Sequence, residues 1–134
     1  MDIKRVVTCF LKRENKILIL RRSENVGSYR GKWGGISGFV EENEKPLDTA
    51  LKEIREETGI PKDKVRLLKE GESFEVRDRQ LGRIWIVYPF LFETETGEIV
   101  LDREHSDYRW IRPSELEKYE TVPQLSKSLR NVLT

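Results

Sequence analysis

A chain of 134 residues and 15.8 kDa is the size of one ordinary domain, able to bury roughly two thirds of its unfolded surface without staples. Hydrophobic and charged residues each make up 37%, against a typical charged share of about 25%, which excludes whole-chain disorder and predicts a charged surface around an adequate core. With 25 Lys and Arg against 24 Asp and Glu, the net charge of +1 excludes a global field toward polymeric nucleic acid or an anionic membrane.

Cys9 is the only cysteine and His105 the only histidine, so an internal disulfide and an all-protein zinc site are both excluded. A reducing cytoplasm is the expected compartment. The first residues run straight into a strand-like segment, and no apolar stretch approaches the roughly 18 residues of a membrane helix. There is no repeat, low-complexity tract or linker, and one domain over 1–134 is expected.

In chain order, Val6 to Leu11 and Lys16 to Leu20 are β-rich runs joined by a polar stretch, predicting a hairpin. Residues 21–35 read as a long, partly basic, mobile loop ending on Trp33. Ile36 to Val40 is a short strand. Pro46 to Thr58 is the strongest helix: Pro suits a first turn, Gly59 suits the left-handed residue past the end, and Leu47, Ala50, Leu51 and Ile54 form the apolar stripe. Strands follow at Val65 to Phe74 and Ile84 to Phe92, with Pro89 predicting an edge or a bulge. Tyr108 to Ile111 is a last short strand, and Pro113 to Tyr119 and Pro123 to Val132 read as helices. The pattern predicts a sheet with helices on its faces, an α/β (α+β) fold.

Charge is uneven along this frame. Between Glu41 and Glu57 there are seven acids against three bases. At about 100° per residue, Glu53, Glu56 and Glu57 share an arc of about 100° beside the apolar stripe. Two carboxylates about 4 Å apart repel by roughly 4 kcal/mol at an effective dielectric near 20. A hard divalent cation offsets that economically, and Mg²⁺ combines a few carboxylates with water and substrate phosphate oxygens.

The spacing extends further: Gly38, then Glu44, then Lys52-Glu53-Ile54-Arg55-Glu56-Glu57-Thr58-Gly59-Ile60. This resembles the Nudix box, the signature of the MutT-like Nudix hydrolase family, in which Gly and Glu precede Arg-Glu-apolar-any-Glu-Glu-any-Gly-apolar. Of the nine specified positions, Lys52 alone departs, standing where Arg is usual. Trp33-Gly34-Gly35-Ile36-Ser37-Gly38 also differs from the Trp-any-Leu-Pro-Gly-Gly common upstream, and Asn43 replaces a frequent Gly.

The resemblance implies an α/β/α sandwich around a mixed sheet and Mg²⁺- or Mn²⁺-dependent hydrolysis of a diphosphate linkage, in a nucleoside diphosphate joined to another group. It implies Glu53, Glu56 and Glu57 as metal ligands and catalytic carboxylates, the Gly38 carbonyl as a further ligand, Glu44 as a loop brace, and Lys52 in the position of the bracing Arg. Lys lacks the planar fork of Arg, so a looser brace is expected. The segment Glu104 to Trp110 is similar to a region that supplies an extra acid, with Glu104 the first choice and Asp107 the second. A homodimer is a fair expectation on the same ground.

Among other residues, Arg21 and Arg22 follow a strand into the loop and are candidates to hold a substrate phosphate. Trp33 and Phe74, and also Tyr88, are candidates to stack on a base. His105 reads as a solvent-facing or turn-capping residue, and Cys9 as a small buried side chain. Two other readings stay open on these residues: a catalytically weak Nudix-shaped nucleotide-binding or sensing module, and a plain interaction domain with a solvated acidic helix.

Overall fold

The computed structural model describes residues 2–133. Its strands are β1 (Asp2–Arg13), β2 (Lys16–Arg22), β3 (Trp33–Gly34), β4 (Ile36–Phe39), β5 (Arg66–Glu70), β6 (Phe74–Asp78), β7 (Arg83–Glu93) and β8 (His105–Ile111); its α-helices are α1 (Pro46–Thr58) and α2 (Leu125–Val132). All eight strands belong to one mixed sheet. β1 runs parallel to β7 from the Asp2–Arg83 pair to the Lys12–Glu93 pair. Its other edge is shared: β4 pairs antiparallel with Val6 to Cys9, and β2 with Lys12 and Arg13. β2 then diverges to pair with β8 and β3.

Strand alternation sends side chains to two opposite layers. Val7, Cys9, Leu11, Leu18, Leu20, Phe90 and Phe92 face α1 and bury Ala50 and Ile54. Phe10, Ile17, Ile19, Trp33 and Leu91 face α2 and bury Leu125, Leu129 and Val132. The result is the expected helix–sheet–helix sandwich. A side chain such as Ile54, fully removed from water here, contributes about 1.5–3 kcal/mol by burial.

The α1 boundaries fall where local chemistry puts them. Pro46 occupies the first turn, and Gly59, at φ 78°, donates its N–H to the Arg55 carbonyl at 2.9 Å. The expected strand over Val65 to Phe74 is corrected: it is two strands, β5 and β6, parted at residues 71–73. The reason lies across the sheet. Pro89 sits in the interior of β7, with β1 on one side and β5 and β6 on the other, so the expected edge position is also corrected. Lacking an N–H, Pro89 cannot continue the ladder; its carbonyl takes the Gly71 N–H at 2.9 Å as the neighbouring strand breaks. A side chain at Gly71 would meet the Asn131 carbonyl at 2.8 Å, so the break also needs glycine's small profile.

Three further expectations are adjusted. The segment from Pro113 is a 3-10 helix ending at Lys118, and α2 starts at Leu125, after Pro123. β2 extends through Arg22, and the loop after it is tied down: Arg22 N–H bonds the Lys32 carbonyl and Gly31 N–H returns to the Arg22 carbonyl. No helix among the described residues is long and apolar enough to cross a membrane.

Candidate active site

Gly38 on β4 faces Glu53 on α1 at contact distance. A Cβ at Gly38 would stand 2.5 Å from both Cγ and Oε1 of Glu53, so the Glu53 carboxyl occupies the space that a side chain on this strand would fill. Glu57, one turn on, is only 2% exposed; its Oε1 accepts the Ser37 N–H at 3.3 Å, and Glu57 and Glu53 share a hydrogen bond. Burial pushes the Glu53 carboxyl up to about 7, with the Glu56 charge adding to it. Burial, then Glu53 and Asp102, holds Glu57 well above the usual carboxylate range. Cys9 is fully buried near these acids, and burial followed by Glu57 and Glu53 pushes its thiol up, which keeps it inert.

The loop before α1 is braced by Glu44, which accepts the Glu41 N–H at 2.9 Å, the Thr49 hydroxyl at 3.1 Å and Lys52 Nζ at 3.0 Å. Those contacts, the backbone one first and then Lys52, hold Glu44 below the usual range. Lys52 therefore points at the brace. Asn43 sits at φ 72°, the left-handed turn position that Asn tolerates.

Arg22 and Glu104 come to the carboxylates. Arg22 is half-buried, with Nε on the Ser28 carbonyl at 2.9 Å; burial lowers its pKa while the nearby Glu104 and Glu57 charges oppose the shift. Glu104 is exposed, and its charge reaches Glu53 as well. The other candidates are placed elsewhere. Glu56 is exposed at the rim. Arg21 bonds the Gly31 carbonyl at 3.1 Å and lies beside Glu120 on the α2 side. Trp33 is a core residue of the α2 layer, edge-on to Tyr119 at 5.3 Å. Phe74 lies under Lys127, whose Nζ is 4.8 Å from the ring centroid. Asp107 pairs with Arg109 at 2.9 Å.

His105 is corrected. It is buried: Nδ1 lies 2.8 Å from Asp102 Oδ1, and Nε2 lies 3.7 Å from Glu57 Oε1. The only trace in the sequence is Asp and His three residues apart. A pocket of about 90 Å³ next to Ser37 and Arg22 was also unanticipated. Tyr29 OH and Trp85 Nε1 both donate to Asp78 Oδ2 there, at 2.7 and 3.1 Å. Burial, then Asp78, pushes the Tyr29 phenol up to about 12.

The donor set suits a hard divalent cation. Buried Glu57 and half-buried Glu53 touch beside a glycine cradle, while Lys52 is committed to Glu44, so a cation would offset the desolvation, and the neighbouring acidic charge, that raise both acids. Among the described residues, Glu53, Glu56 and Glu57 do not already close on one point at coordinating distance.

Comparison with known proteins agrees with this frame. The profile of the NUDIX domain matches residues 2–132. The Nudix hydrolase YvcI of Bacillus subtilis is 27% identical over 122 residues, covering 90% of this chain and 73% of that protein. The nucleoside triphosphatase NudI of Escherichia fergusonii is 28% identical over 137 residues, covering 94% of each. Among solved structures, a MutT NUDIX hydrolase from Burkholderia pseudomallei superposes with TM-score 0.80 at 20% identity, covering all of both chains. The MutT protein from Methanosarcina mazei superposes at 0.74 with 25% identity, covering 96% of this chain and 91% of that one. With the family profile spanning nearly all of it, the box residues in place and the sandwich reproduced, the chain belongs to the Nudix hydrolase family, hydrolases acting on pyrophosphate bonds.

Proposed function

We propose that the protein hydrolyses a diphosphate linkage in a small nucleotide-type substrate with Mg²⁺ or Mn²⁺ as cofactor. The observation that carries this reading is the Glu53 carboxyl folded onto the bare Cα of Gly38 with buried Glu57 beside it. Glu53, Glu56, Glu57 and the Gly38 carbonyl would hold the ion. When bound, it supplies neutralisation of the pyrophosphate charge and acidification of a water.

This chain's own residues do the rest. Glu57, buried and anchored by the Ser37 N–H, holds one edge of the site fixed. Arg22, on the same side, meets substrate phosphate oxygens with its guanidinium. A carboxylate, exposed Glu104 or Glu53, would take the water proton as the water oxygen attacks phosphorus and the bridging P–O bond breaks. Glu44, tied by Lys52, keeps the Gly38–α1 loop in register. That intact brace favours the enzyme over the catalytically weak binding module.

The name of the NudI relative supports a nucleotide substrate. We read the chain as one domain in a reducing cytoplasm, on its single continuous sheet and the buried free thiol of Cys9; the expected homodimer is checked by light scattering. The central test is hydrolysis of nucleoside triphosphates, ADP-ribose-like sugars and dinucleoside polyphosphates with Mg²⁺ or Mn²⁺, alongside Glu57→Gln. Release of phosphate-bearing products by the wild type and a loss of at least about 100-fold in the folded variant are expected. An unaltered rate in Glu57→Gln refutes the site.

A further inference from the structure

The pocket of about 90 Å³ beside Arg22 and Ser37 is walled by parts of the chain far apart in sequence. Val76 on β6 and Trp85 on β7 are register partners, and Tyr29 reaches over them from the loop after β2. Both rings are tethered to one buried group: Tyr29 OH and Trp85 Nε1 donate to Asp78 Oδ2, while the Leu81 N–H donates to Oδ1 at 3.0 Å. Trp85 is held again by Phe39, stacked with ring centroids 5.8 Å apart, and by the Arg83 guanidinium, 4.8 Å from its centroid. Tyr29 keeps φ 50°, a left-handed conformation that a bulky residue holds only where its surroundings impose it. The walls are therefore stiff, and the size of the pocket belongs to the fold rather than to one rotamer.

Size and polarity then select a ligand. An enclosed cavity of about 150 Å³ accepts one benzene ring. A pocket of about 90 Å³ that is open to solvent seats one six-membered ring with an edge left in water, and lacks room for a fused pair. Asp78 is already taken by three donors, so the free polar groups of the pocket lie elsewhere. Gln124 also lines it; its Oε1 accepts the hydroxyl of buried Ser128 at 2.5 Å, which fixes the amide and leaves the Nε2 hydrogens without a partner among the described residues. Donors at the wall of a one-ring pocket match the C2 carbonyl that every pyrimidine nucleobase carries. Adenine has no ring carbonyl, and guanine is excluded by its second ring. The pocket adjoins the acids as well: Ser37 lines it while its N–H holds Glu57, and Arg22 lines it with Nε anchored on the Ser28 carbonyl.

We propose that this pocket takes the base of the substrate and restricts it to pyrimidine nucleotides, with Gln124 reading the ring carbonyl. This rests on the reading of the protein as a nucleotide hydrolase and names the substrate class of that same site. Tyr29 and Trp85, fixed through Asp78, set the size limit.

The test pairs binding with turnover. UMP, CMP, AMP and GMP carry the same phosphate, so titrating each into the metal-free full chain, followed by the indole N–H resonance of Trp85, isolates the base. UMP and CMP are expected to bind at least about 10-fold more tightly than AMP and GMP, and kcat/KM for UTP and CTP with Mg²⁺ to exceed that for ATP and GTP by a similar factor. Gln124→Leu, which keeps the bulk and removes the donors, is expected to weaken UMP about 5- to 20-fold, with a smaller effect on AMP. Tyr29→Gly removes one wall and suits the left-handed backbone, so it is expected to erase the preference. Val76→Ala enlarges the pocket without touching the Asp78 contacts and serves where the Tyr29 variant does not fold. Equal affinities for UMP and AMP in the wild type, or a preference that survives in both Gln124→Leu and the enlarged pocket, overturn the proposal. Hydrolysis with no base preference sinks the pocket alone. A pyrimidine preference in binding, with no triphosphate hydrolysed, supports the pocket and refutes the hydrolase reading.

Discussion

Gly38→Ala separates the fold from the chemistry. Gly38 lies in a strand, outside the positive-φ glycines, so alanine meets no backbone strain there. The new Cβ would stand 2.5 Å from Glu53 Cγ and Oε1, whereas ordinary Cβ contacts begin at 3.4 Å, so the carboxyl must retreat by roughly 1 Å. Glu53 is a flexible side chain that can turn outward, and alanine in a strand gains about 0.5–1 kcal/mol over glycine through backbone entropy. Stability is therefore expected to stay level or to rise by about 0.5 kcal/mol. A 1 Å displacement of a positioned catalytic group costs about 100-fold, equivalent to about 2.7 kcal/mol of transition-state stabilisation. The assay is kcat/KM for phosphate-bearing product release with Mg²⁺, set beside urea unfolding of the metal-free protein. Wild-type kcat/KM in the folded variant refutes the reasoning, and a stability loss above about 2 kcal/mol shows that the glycine serves packing instead.

Other consequences follow from the same geometry. Glu53 and Glu57 have folded pKa values above the usual carboxylate value, Glu53 at about 7, so the metal-free folded state holds more protons than the unfolded chain between about pH 4.5 and 7. Their contribution to stability is largest at the acidic end of that window and is lost as pH rises through the folded values. A divalent cation displaces those protons, so its gain in melting temperature should widen from pH 5 to pH 8, and a pH-independent gain contradicts this. Lys52→Arg should add a second contact to Glu44 and raise kcat/KM up to about several-fold, whereas Lys52→Ala should lower it with melting nearly unchanged; steady-state kinetics decides. Ile54→Ala should destabilise by about 2–5 kcal/mol in chemical denaturation, because Ile54 is fully buried between α1 and the sheet.

The helix that carries the acids was legible because its signals are local. Pro46 and Gly59 bracket it, and the arc shared by Glu53, Glu56 and Glu57 follows from helical periodicity. The cores of β1, β2 and β7 were legible from their β-branched and aromatic runs. The break between β5 and β6 was not, because its cause, Pro89, stands on another strand and acts through a missing ladder bond. Trp33 and Phe74 are aromatic in sequence either way, and whether a ring faces a ligand or a core depends on which layer its strand presents.

Hydrophobic period carried the fold class, and the box from Gly38 to Ile60 carried the family and the acids proposed for the chemistry, since each is written in residues close together along the chain. Tertiary structure alone decided which acids are buried, that Glu53 rests on Gly38, that Arg22 and not Arg21 joins them, and that His105 stands behind Glu57. Those are outcomes of strand register, where a single skipped residue exchanges one face for the other, and register is settled by partners distant in sequence.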